Sequence, residues 1–155
     1  MKNVVRLIIL TLLSGGCDRF PKDPNDTLNT VKGGTLVVGY SENPPWVQKT
    51  DSLPTGLEPD LVKAFAESLG ARITWKNDTE QNLFEALEHR EVHLVIAGIT
   101  DDTPWKDKVT LTRPYLKAGK RKHVMAAIRG ENAFIVHLET FLHKRESVLA
   151  TRVQP

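Results

Sequence analysis

The sequence predicts an α/β fold of three layers, a mostly parallel sheet with helices on both faces. Three observations carry that expectation. Short apolar runs alternate along the chain with segments of helical apolar spacing. The run over residues 92–99 is apolar throughout apart from His93, as a central strand covered on both sides requires. A length of 155 residues, 40% of them hydrophobic, supplies one core rather than two.

Regular structure is expected to start at Thr35. Residues 35–40 form a brief apolar run with two adjacent valines, which reads as a buried strand. Residues 41–56 hold Pro44, Pro45, Trp46 and Pro54 and read as a loop. Over residues 57–69, Leu61, Phe65 and Leu69 fall at i, i+4 and i+8, the spacing of one helix face. Pro59 suits the first turn, where a missing N–H costs nothing, and Gly70 suits the position after the last. Residues 71–76 read as a second strand, and residues 79–91 as a helix turning Leu83, Phe84 and Leu87 inward. The third strand covers residues 92–99, a loop region 100–115, and a fourth strand 122–128, stopped by Gly130. A last helix over 131–146 offers Phe134, Leu138, Phe141 and Leu142 to the core.

The two ends read differently. Residues 1–6 carry Lys2 and Arg6, residues 4–13 are nearly all apolar, and Ser14, Gly15, Gly16 and Cys17 follow at once. That stretch is short for a hydrocarbon core of ~30 Å, which needs ~20 residues. A charged start, a short apolar run and small residues before a cut form a signal-peptide pattern over residues 1–16. Residues 17–34 contain Pro21, Pro24, Asn25, Asn29, Gly33 and Gly34 and read as a flexible tether. The domain occupies residues 35–146, and residues 147–155 form a C-terminal tail whose last positions are expected to fray.

Charge and composition exclude several functions. Lys and Arg number 21 and Asp and Glu 19; without Lys2 and Arg6 the two signs balance. Nucleic-acid binders need a surplus of Lys and Arg to displace counterions, so none is expected here. The local run Lys117, Lys120, Arg121 and Lys122 reads as a solvated turn. One cysteine allows neither an intrachain disulfide nor a cysteine metal cluster. No GxGxxG, GxxxxGK[ST] or GxSxG string occurs. His89 and His93 are four apart, but the helix should end between them; His137 and His143 are six apart and point in different directions. Asp101 and Asp102 adjoin Thr103 and Pro104, a turn composition. No metal, no cofactor and no enzyme activity is expected.

Two resemblances sharpen this reading. The segment ending at Cys17 resembles the lipobox of bacterial lipoproteins, with Ser14 where that motif prefers leucine and Leu13 one step further out. It implies an acylated Cys17 held in a membrane by two or more chains, at ~0.8 kcal/mol per buried methylene. An ordinary secretory signal with an incidental or core Cys17 is the alternative. Asp18 resembles the residue that retains such lipoproteins at the inner membrane.

The domain resembles the bacterial solute-binding protein family 3, the periplasmic receptors for polar amino acids that feed ABC transporters. TLVVG at residues 35–39 resembles that family's first strand, and NPPW at 43–46 its aromatic-ended YPPF loop. GLEPDL at 56–61 is similar to GFDVDL, and NLFEAL at 82–87 to the segment ending LIPAL. AGIT at 97–100 resembles AGMT, and TRPY at 112–115 resembles FSxPY. Each string is weak alone; six in order are specific.

The resemblance implies a single lobe of a periplasmic-binding-protein type II fold. Residues 122–134 resemble the return segment that completes lobe one, and Ala118, Gly119 and Lys120 close the gap left by lobe two. In the family, an arginine after AGMT grips the ligand carboxylate, loop N–H and hydroxyl groups complete the clamp, and an aromatic covers the ligand. Carried onto this chain, the ligand-binding residues are Trp46, Gly98, Thr100 and Lys106. Lys106 stands for the arginine when Thr103 and Pro104 anchor the comparison; counting on from Thr100 puts Trp105 there. Lysine keeps the charge but loses the two-pronged grip.

The implied function is a membrane-anchored protein binding polar amino acids or similar small solutes for transport or sensing. An ABC permease or a second copy of the chain would be its partner, and the periplasmic side of the inner membrane its location. A protein-interaction module that has lost ligand binding is the alternative. Enzyme activity, which related folds have gained, is a third reading that the missing lobe disfavours. A single open lobe buries less of a ligand than the ~70–90% usual for small-molecule sites.

Overall fold

The computed structural model describes residues 22–152. In chain order the elements are α1 (Thr27–Val31), β1 (Thr35–Tyr40), α2 (Leu57–Ser68), β2 (Arg72–Asn77), α3 (Glu80–Glu88) and β3 (Leu94–Ile96). Then come β4 (Thr110–Leu111), β5 (Leu116–Ala118), β6 (Arg121–His123), β7 (Ala126–Ala127), α4 (Asn132–His143) and α5 (Glu146–Arg152). The main sheet has the order β2-β1-β3-β7-β4, with β5 and β6 forming a separate hairpin.

Strands β1, β2 and β3 are parallel, with Val38 beside both Trp75 and Leu94. The return strand β7 runs antiparallel to β3, Val95 facing Ala126, and antiparallel to β4. The sheet is therefore mixed: parallel where helices connect the strands, antiparallel where the chain turns back without a helix. The segment expected as one strand over 122–128 is two, with Val124 and Met125 buried between β6 and β7.

Two apolar layers cover the sheet. Leu36, Val38, Leu94 and Ile96 pack with Phe65 of α2 and with Phe134, Leu138 and Phe141 of α4 on one face. Leu83, Phe84 and Leu87 of α3 close the other face over Val95, Ala126 and Val109. Alternation along each strand sends successive side chains to opposite layers, which gives the three-layer arrangement the sequence predicts.

Both ends correct the expected boundaries. From Lys22 onward the expected tether is part of the fold. The Asp23 carboxylate accepts from Ala133 N (2.6 Å), Phe134 N (3.0 Å) and Leu28 N (2.8 Å). It thus tethers α1 to the otherwise unpartnered N–H groups that open α4. Glu131, fully buried, accepts from Asn25 and Thr27 and pairs with Arg90 at 3.2 Å. Val31 is buried in the core. Residues 147–152 of the expected tail belong to α5, and Leu149 reaches the same core. The signal segment and Cys17 lie outside the described residues.

Candidate functional site

Parallel strands β1 and β3 end side by side, Tyr40 level with Ile96, and both chains then turn outward. Ligands of open α/β sheets collect at such carboxyl-end crevices. The loop after β1 brings Trp46, the loop after β3 brings Gly98 and Thr100, and β6 runs along the outer side of that second loop. Val124 N donates to Ile99 O at 2.9 Å, Asp101 N donates to Lys122 O at 3.0 Å, and Thr100 stands opposite His123.

Glu58 holds this loop from beneath. It sits in the first turn of α2, wholly buried, and Oε2 accepts the Gly98 N–H at 2.8 Å. The Tyr115 hydroxyl donates to Oε1 at 2.6 Å. Burial pushes the Glu58 carboxyl up to about 7, against the pull of hydrogen bonds from Tyr115, Gly98 and Ala97. Burial and the neighbouring Glu58 charge drive the Tyr115 phenol above its ordinary range.

Above the loop lies Trp46. Its ring stacks on His123 with centroids 3.7 Å apart and planes at 28°. A Cβ added to Gly98 would stand 2.6 Å from Trp46 Cδ1 and 2.7 Å from the Asn43 amide nitrogen. Only glycine leaves room for the indole there, and φ of +63° favours glycine independently. Asn43 donates to Ala97 O at 2.7 Å, tying the first loop to the second. His123 is buried, and Nδ1 lacks a hydrogen-bond partner among the described residues. Burial pulls the imidazole below its ordinary range.

The structure gathers three of the four expected ligand-binding residues. Trp46, Gly98 and Thr100 meet at one crevice, although the Thr100 hydroxyl donates to Asp102. Lys106 lies past the turn that follows; its N–H reaches Thr103 O at 3.4 Å and its side chain is exposed. Trp105, the alternative at the arginine place, stacks on Phe84 at 5.3 Å in the opposite apolar layer. It is a packing residue. His93 accepts the Val37 N–H through Nδ1 at 3.0 Å, a structural bond within the sheet. No group of three metal-ligating side chains stands together among the described residues.

Sequence reasoning missed Glu58, Tyr115 and His123. A carboxylate in a helix first turn reads as a partner of the helix dipole, and nothing in the sequence shows that it is buried.

The family model of bacterial extracellular solute-binding proteins, family 3, matches residues 36–153. Similar curated proteins include a membrane-bound lytic murein transglycosylase F of Maricaulis maris, 38% identical over 103 residues. That match covers 62% of this chain and 22% of the relative. A probable histidine-binding protein of Campylobacter jejuni is 29% identical over 82 residues, covering 52% of this chain and 32% of the relative. The chain thus spans between a fifth and a third of the length of these curated relatives. Among solved structures, the arginine-bound form of domain 1 from TmArgBP superposes with a TM-score of 0.67 at 24% identity. It covers 75% of this chain and 97% of that one. An ancestral cationic amino acid solute-binding protein superposes with a TM-score of 0.67 at 16% identity, covering 79% and 94%. These likenesses fix the fold as a single lobe of the type II periplasmic-binding-protein architecture.

Proposed function

Because the chain belongs to the bacterial extracellular solute-binding proteins of family 3, we propose that it binds a polar amino acid or similar small solute at the crevice between β1 and β3. The observation that supports this most is the way the Gly98 loop is held. Glu58 grips it from below and Trp46 covers it from above. A loop fixed on both sides presents one arrangement to a ligand, which lowers the ordering cost of binding.

In this proposal Cys17 carries the lipid anchor, the domain stands at the periplasmic side of the inner membrane, and the bound solute is passed to a permease or read by a sensor. The lobe is a binding part and not a catalyst. No helix among the described residues is long and apolar enough to cross a membrane.

A second reading, a module whose crevice face docks another protein, draws on the open geometry. Among the described residues no second lobe faces Trp46, and a partner surface would supply that wall. Calorimetric titration of the full chain in detergent, with the twenty amino acids as probes, tests the first reading. Saturable binding that Trp46→Ala weakens at least tenfold supports it. Heat from none of the probes, with a dimer seen in sedimentation, supports the second instead.

A further inference from the structure

The strip formed by β6 and the Gly98 loop has two faces with different charges. On the outer face Lys122 Nζ stands 3.4 Å from the Asp101 carboxylate, and Lys117 lies directly across the hairpin from Lys122. On the inner face His123 stacks beneath Trp46 and stands opposite Thr100. Side chains two apart on a strand share a face, so Arg121 lies on the same side as His123. The Gly119 turn, at φ +61°, sets this register by pairing Ala118 with Arg121.

Asp102 joins the inner face by a different route. Its Oδ1 accepts the Thr100 hydroxyl, and Thr100 stands opposite His123. The Thr100 hydroxyl chiefly holds the Asp102 carboxyl below its ordinary value, and the Arg121 and Lys106 charges both add to it; burial chiefly pulls the His123 imidazole down, and the Arg121 charge adds to that. Among the described residues, the exposed Arg121 guanidinium makes no hydrogen bond and no ion pair within 4.0 Å. A planar fork of five donors without a partner therefore stands on the strand face shared with His123, the residue on which Trp46 stacks.

We propose that Arg121 and Asp102 form a clamp for the zwitterionic head of an α-amino acid, Arg121 receiving the carboxylate in two parallel hydrogen bonds and Asp102 the ammonium. This rests on the reading of the crevice as a solute site. It moves the carboxylate anchor from Lys106 on the long loop to the hairpin that closes the lobe. Lys106 is a point charge on an exposed turn, whereas Arg121 carries the bidentate geometry a carboxylate fits. Trp46 and His123 would then stand beside the Cα of the ligand, leaving its side chain toward solvent. A single lobe clamping only the head group should bind several amino acids with similar, modest affinity.

The test is calorimetric titration of the full chain with the twenty amino acids, and for each binder with its decarboxylated amine and its deaminated acid. Arg121→Ala is expected to weaken amino acids at least tenfold while leaving the amine unchanged. Arg121→Lys should recover only part of that loss. Asp102→Asn should weaken the amino acid and the amine, and leave the deaminated acid unchanged. Lys106→Ala and Lys117→Ala should stay within twofold of the original chain. All these side chains are exposed, so folding is preserved, and circular dichroism checks it. Amino-acid binding that survives Arg121→Ala, or that Lys106→Ala weakens more, overturns the clamp and leaves the solute-binding reading standing. Binding of none of the probes by the original chain overturns both.

Discussion

The Tyr115 hydroxyl and the Glu58 carboxylate meet at 2.6 Å inside the protein, and the same carboxylate accepts the Gly98 N–H at 2.8 Å. A single buried acid thus joins α2, the segment before β5, and the loop that shapes the crevice. Burying a carboxylate is costly, and two donors offset only part of that cost.

That imbalance makes stability depend on pH. Glu58 holds its proton to about 7 in the fold, against 4.5 in the unfolded chain. Between those values the native state binds more protons, so its stability falls as pH rises from 4.5 through about 7, then levels. The total change is on the order of 3 kcal/mol. Urea unfolding at pH 5, 6, 7 and 8 should show the decline in the original chain and a flatter profile in Glu58→Gln. Parallel profiles for the two would remove Glu58 as the source.

Tyr115→Phe deletes one donor and keeps the ring. The Tyr115 hydrogen bond pulls the Glu58 carboxyl downward, so its loss lets burial raise that group further. Stability at pH 8 should fall by about 1–3 kcal/mol, the cost of a buried acceptor left short of a partner. At pH 5, where Glu58 is protonated, the loss should be smaller. An equal loss at both pH values would mean that Tyr115 serves packing alone.

Strands β1, β2 and β3 and the first two long helices were legible because apolar spacing alone decides them. Residues 35–40 and 57–69 match β1 and α2 nearly residue for residue. The direction of the return strand was not legible, since an apolar run reads the same either way. Its neighbour, the β5–β6 hairpin, was hidden by charge: Lys117, Lys120, Arg121 and Lys122 look like a solvated turn, yet Leu116 and His123 on the reverse side are buried. Trp46, Gly98 and Thr100, which the motif resemblance names as ligand-binding, stand near one another, Trp46 over Gly98 and on His123, and His123 opposite Thr100. Lys106, named with them, lies beyond a tight turn, Thr103 N reaching Thr100 O at 3.0 Å, although its charge still acts on Asp102.

Gly98→Ala tests whether the crevice is as tightly closed as Trp46 makes it. The new Cβ would stand 2.6 Å from Trp46 Cδ1, at a φ of +63° that alanine adopts only under strain. A loss of about 1–3 kcal/mol is expected. In a Trp46→Ala background the clash with the indole vanishes while the close approach to Asn43 and the backbone strain stay, so the two changes should be less than additive. Strict additivity in urea titrations would mean that the indole yields freely.

Asp23 supplies the last test, since it decides whether the chain before β1 is tether or fold. Its carboxylate accepts from Ala133 N and Phe134 N at the start of α4 and from Leu28 N in α1. A helix beginning leaves four N–H groups without intrahelical partners, and an acceptor from another segment answers two of them here. Removing it should therefore act as the loss of a cap and of a long-range contact together. Asp23→Ala should cost about 1–2 kcal/mol, and Asp23→Asn less, because the amide oxygen still accepts one bond. Hydrogen exchange at Ala133 and Phe134 should quicken in Asp23→Ala by the factor that matches the stability loss. An unchanged melting temperature and unchanged exchange would return residues 22–34 to the status of a loose spacer.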